Sequence, residues 1–185
     1  MAQKRFKIDG YGQLELNLVA FPRDGRIEAQ CALDEVDFAE IPAENGMLLM
    51  VDNIARKVKL PVAGEVFPIA LNYSTEHMYD ERKAGLKHFS LNRGEVYPRL
   101  GYLSVGDKFT TNCLAYDDGE FADEDAVKEA AKGDAKLFGG ISESGAILVS
   151  ATQPANGPVL VAIRGCGNGS MPDGQFAIQF QCVKA

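Results

Sequence analysis

The 185-residue chain has no tryptophan and only two histidines, His77 and His88. Without an indole, and with only six tyrosines, it has little from which to build the aromatic platforms of a sugar-binding module. Its four cysteines, Cys31, Cys113, Cys166 and Cys182, form no CxxC pair and lie far from both histidines in sequence, which argues against a structural zinc site. No apolar run reaches the ~18 residues that a membrane helix needs, so no membrane partner is expected. The opening MAQKRFKIDGYGQ lacks the apolar centre of an export signal. The cysteines are therefore expected to be free, buried thiols. There is no internal repeat, no low-complexity tract and no basic stripe. With a net charge of −7 the chain should repel phosphate backbones, so no nucleic-acid partner is expected.

What is present is a folding composition. Hydrophobic residues make up 46%, enough for one sizeable core or two small lobes. The 19 glycines and 8 prolines are dispersed, a pattern of many turns between short strands. The acidity is local. Residues 117–134 hold eight acids against Lys128 and Lys132, which leaves the rest of the chain nearly neutral. This reads as a solvated face.

The stretch at 94–114 joins two halves. Pro98, Gly101 and Gly106-Asp107 punctuate it, and residues 109–114 read as a strand. Before it, Phe6 and Ile8 alternate with charged neighbours, and Leu14, Leu16 and Leu18 share one face. A turn follows at 22–25, then a strand at 27–33, an apolar run at 47–51 and an alternating strand around Val58 and Leu60. The segment 66–73 contains Pro68 and reads as an edge or irregular strand. Residues 121–132 form the clearest helix, with Asp123 as cap, Glu124 and Asp125 in the first turn and Lys132 near the end. The last third is strand after strand and closes at 175–183, where Phe176, Ile178, Phe180 and Cys182 share a face. The prediction is a mainly β fold, an antiparallel sandwich or barrel with one short helix near 121–132. It is divided into lobes at 1–93 and 94–185, or forms a single domain.

The motifs that could carry chemistry are few. His77 has Glu76 and Asp80 nearby, a base with carboxylate orienters, but no nucleophile accompanies it. Residues 165–169, GCGNG, lack the strand-to-helix setting of a dinucleotide loop, so tight turns explain these glycines better. A small hydrolase using His77 or His88 with Cys166 is the enzymatic alternative. No catalytic residue, cofactor or metal is assigned. As interface residues the sequence offers Lys4, Arg5, Phe6 and Lys7, a basic strand-forming arm on an acidic chain, together with Arg82 and Lys83. The arm is expected to add a strand to a neighbour. The competing expectation is that it pairs within its own sheet.

Four stretches carry a family resemblance: 17–34 (NLVAFPRDGRIEAQCALD), 43–60 (AENGMLLMVDNIARKVKL), 97–112 (YPRLGYLSVGDKFTTN) and 171–185 (MPDGQFAIQFQCVKA). In these the chain resembles the capsid-decorating, or cement, proteins of tailed bacteriophages. The resemblance implies a non-enzymatic virion protein, made in the host cytoplasm and placed on the capsid surface. Its partners would be the major capsid protein and further copies of itself, as a homo-oligomer such as a trimer. A head fibre base or a tail protein is the neighbouring alternative.

Overall fold

A computed structural model describes residues 2–62, 64, 67–74, 86–94, 97–133, 136–163 and 171–185. The first seven strands are β1 (Gln3–Arg5), β2 (Leu14–Leu18), β3 (Ile27–Glu28), β4 (Ala32–Leu33), β5 (Leu48–Asp52), β6 (Lys57–Lys59) and β7 (Ile69–Asn72). The second seven are β8 (Leu100–Gly101), β9 (Lys108–Thr111), β10 (Leu114–Asp117), β11 (Phe138–Gly140), β12 (Ile147–Ser150), β13 (Val159–Ala162) and β14 (Ile178–Lys184). Two helices, α1 (Phe21–Asp24) and α2 (Glu124–Lys132), complete the regular structure with a 3-10 turn at Leu86–His88. The fold is mainly β, as expected, and consistent with a sandwich.

One sheet has eight strands in the order β1-β10-β12-β11-β13-β14-β9-β2, and the other has six in the order β3-β8-β7-β5-β6-β4. The larger sheet is open, because β1 and β2 end it without meeting, so the barrel is excluded. Both sheets are mixed, which corrects the purely antiparallel expectation. β10 runs parallel to β12, and β4 parallel to β6. A parallel neighbour needs a long crossover. Between β10 and β12 that crossover carries α2 and β11.

The boundary at 93/94 does not separate the sheets. β1 and β2, from the first half, lie in the eight-stranded sheet, and β8, from the second, lies in the six-stranded one. Three local expectations also change. The strand read at 27–33 is two short strands on opposite edges of one sheet, broken at 29–31, where the Glu28 carboxylate accepts the Gln30 N–H. The strand read at 109–114 breaks at Asn112-Cys113, and its two parts join different neighbours. The segment read as an edge strand because of Pro68 contains β7, which is paired on both sides. Pro68 stands just before it, where its carbonyl accepts the Val51 N–H.

Two apolar cores form. One gathers Phe109, Leu114, Ile147, Leu160 and Phe180 with Leu48 and Leu71, and Val127 and Ala131 of α2 pack on it. The other gathers Leu33, Phe38, Val58, Ala70 and Leu100 with Cys113 and Ala115. β5 is buried along its whole length and divides them: Leu48 faces the first core, Leu49 and Val51 the second. Packing is close enough to require glycine at 139, where a Cβ would lie 2.8 Å from Ile147 and 2.9 Å from Phe180.

Candidate functional site

The basic arm is not free. Lys4 pairs with Tyr116 in the β1–β10 ladder, and its ammonium lies 3.4 Å from Asp118. The Phe6 N–H reaches the Leu114 carbonyl at 2.9 Å. The Phe6 ring is buried, edge-on to Tyr116 at 5.7 Å and stacked on Phe176 at 6.0 Å. The Lys7 N–H donates to Glu124, the first residue of α2, at 2.8 Å. The arm pairs within its own sheet, the competing expectation, with β1 as an edge strand. Phe6 loses too much apolar area to water to be released, and Lys4 and Arg5 are drawn to acids of the same chain. Arg82 and Lys83 lie outside the described residues.

Arg5 forms the most buried ion pair among the described residues. Its guanidinium grips both carboxylate oxygens of Glu44, one bond measuring 2.7 Å, and Glu44 also accepts the Gly12 N–H. Burial works to lower the Arg5 pKa. The hydrogen bond and charge of Glu44 outweigh it, so Arg5 stays charged. The Cys113 sulfur lies 3.7 Å from this guanidinium. Even so, burial pushes the Cys113 thiol up to about 12, so it is no thiolate at neutral pH. Burial likewise pushes Cys182 to about 11. Cys31, Cys113 and Cys182 are all free and buried. The arrangement braces β1 against the smaller sheet and offers no nucleophile.

The hydrolase residues are not brought together among the described residues. His88 is exposed, while His77 and Cys166 lie outside them. No group of His, Cys, Asp or Glu able to hold a metal occurs among the described residues, and no described helix is long and apolar enough to cross a membrane. A groove of about 540 Å³ runs between Met50, Phe67, Ile69, Tyr102, Ile141 and Pro158. Its wall is mixed, with Asn156 and Lys184 beside the apolar side chains, and none of the lining side chains is a carboxylate.

Several hydrophobic side chains reach the surface, Val36 at 82% and Val105 at 71% exposure among them, and so do a turn and an edge strand. The turn at 53–56, between β5 and β6, carries Ile54 at 88% exposure. The buried Asp52 carboxylate fixes this turn, accepting from the Ile54 and Ala55 N–H groups at 3.1 and 2.9 Å and from Lys59 at 3.1 Å. Arg56 closes the turn at φ 54, a left-handed conformation costly for a side chain of its size, and its carbonyl accepts the Ala32 N–H. The sequence signal for this turn is an isoleucine where a turn calls for polar residues. The edge strand is β2, the last strand of the larger sheet, where Leu16 is 37% and Leu18 57% exposed. No protein-family model matches the chain, and no curated protein or solved structure matches it significantly.

Proposed function

We propose that this chain is a structural virion protein that binds the outer surface of a tailed-phage capsid and stabilises the shell, with the major capsid protein as its partner. The four resembling stretches motivate the reading, and the turn at 53–56 is the observation that supports it best. Ile54 is a large aliphatic side chain held away from the body on a turn already fixed by Asp52. A pre-ordered anchor loses little conformational freedom when it docks. Filling a pocket with one isoleucine contributes about 2 kcal/mol. Arg56 and Lys57 follow it and suit an acidic rim.

The test is co-sedimentation of the purified protein with empty capsids of the phage or prophage that encodes it. Ile54→Asp should lower occupancy at least tenfold while Ile54→Val retains it. Equal binding by Ile54→Asp removes the turn from the contact, and failure of the wild type to bind removes the capsid reading. Electron microscopy of decorated particles separates the capsid surface from a head fibre base or tail site.

A further inference from the structure

We propose that β2 is a self-pairing edge, joining two copies of this chain about a two-fold axis at Leu16 into one continuous antiparallel sheet. The surface differs from the turn at 53–56, and the inference does not depend on the capsid reading.

The first support is the direction of the backbone bonds. Within β14, Cys182 bonds to the Gly106-Asp107 turn that leads into β9, whereas the Gln179 carbonyl accepts from Ile163 at the β13 side. Bonding alternates along a strand. Phe180 therefore bonds to Phe109 opposite it, which leaves Thr110 to bond to Glu15 of β2. The N–H and C=O of Leu16 then face the open edge. Among the described residues no strand covers them.

The second support is the sequence of the edge, LELNL, read against itself. With the axis at Leu16, Leu16 lies opposite Leu16 of the partner copy and exchanges two backbone bonds with it. Glu15 lies opposite Asn17 of the partner copy, twice over. Asn17 is prepared for this role. Its amide oxygen accepts from the Thr110 hydroxyl at 2.7 Å and from Gln179 at 2.8 Å, which turns its NH₂ group away from both. That donor meets the exposed Glu15 carboxylate of the other copy. Moving the axis to Glu15 would oppose two carboxylates, so charge selects the register. This matching of an edge to its own reverse favours a second copy over an unrelated partner. The bulge between Leu16 and Leu18 ends the shared ladder and sets Leu18 on the outer face with Lys108, the face that also carries Val183, 45% exposed. The product is a two-fold dimer, where the resemblance alone suggested a trimer.

Sedimentation equilibrium from low micromolar to near-millimolar protein tests the proposal. The wild type should show a reversible monomer–dimer equilibrium. Asn17→Asp keeps the oxygen that accepts from Thr110 and Gln179 but opposes two acids across the axis, and should weaken the dimer at least tenfold. Adding Glu15→Lys to it should restore the dimer, because each Lys then faces an Asp. Leu16→Cys, on the axis, should crosslink to a covalent dimer under mild oxidation well ahead of Ile54→Cys, which is more exposed. A wild type that stays monomeric, a double variant that does not recover, or equal crosslinking at positions 16 and 54 each overturns the pairing.

Discussion

Arg5 is 30% exposed at its side chain and Glu44 only 5%, so the two partners of this ion pair are not equivalent. Removing Arg5 strands a carboxylate inside the protein, whereas removing Glu44 leaves a guanidinium with a route to water. Arg5→Ala should therefore cost about 3 kcal/mol in urea denaturation, and Glu44→Ala clearly less. The thiols set a limit at the alkaline end. Cys113 and Cys182 are raised by burial to about 12 and about 11, so the native state favours their neutral forms. Their contribution to stability is complete below the ordinary thiol range and is lost as pH rises through it toward the raised values. Melting temperature should fall over that interval, and Cys113→Ser with Cys182→Ser should flatten the fall. The acid end has the opposite sign. Backbone N–H groups hold Asp34 and Asp52 below the usual carboxylate range. Their contribution is present above that range and disappears as pH drops through the lowered values. At this scale the sequence was partly readable. The alternation of Phe6 and Ile8 with charged residues pointed to a strand there, but the strand forms just before them, at Gln3–Arg5, and nothing local marked Glu44 as the partner of a residue 39 positions away.

α2 joins two roles that its sequence shows only in part. The Asp123 cap, the acidic first turn and the terminal lysine could be read directly, and Asp123 does accept the Ala126 N–H at 2.9 Å. Asp123→Ala should cost about 1 kcal/mol. The second role is hidden, since Glu124 also holds the backbone of Lys7 as β1 leaves the sheet. Much of the acidic segment is similarly engaged. Asp118 takes Lys4 and the Ala2 N–H, and Glu120 takes the Ala151 N–H. Deleting residues 1–7 should therefore lower the melting temperature sharply, by the loss of Phe6 and of the β1–β10 ladder. A truncated protein with normal melting would contradict the internal strand. β14 was legible because its period of two runs through a core face. β7 was not, because Pro68 disqualifies only the position it occupies, and strand partners are not written in a local pattern.

The two halves of the chain exchange strands. A sequence read for composition suggests a seam near residue 93, but sheet membership is decided by pairing between distant segments, which composition does not record. β5 touches both cores, so loss of either exposes it. Residues 1–93 and 94–185 expressed separately should each lack β-type circular dichroism, and the intact chain should unfold in one transition. With no tryptophan, tyrosine emission and far-ultraviolet dichroism are the two probes whose midpoints should coincide.

The place of β14 in its sheet bears on how the protein is made. It is the last of the described strands in the chain, yet it sits inside the sheet, between β13 and β9. β1 likewise waits for β10, more than a hundred residues further on. On the ribosome, β9 and β2 can pair early but have no neighbour on the β13 side until residues 178–184 emerge. At ~5–20 residues per second the nascent chain spends seconds with that gap and its apolar lining open. Completion of the larger sheet thus waits for the last described strand instead of following the order of synthesis. Ribosome-bound chains stalled before residue 178 should remain sensitive to protease along their whole length.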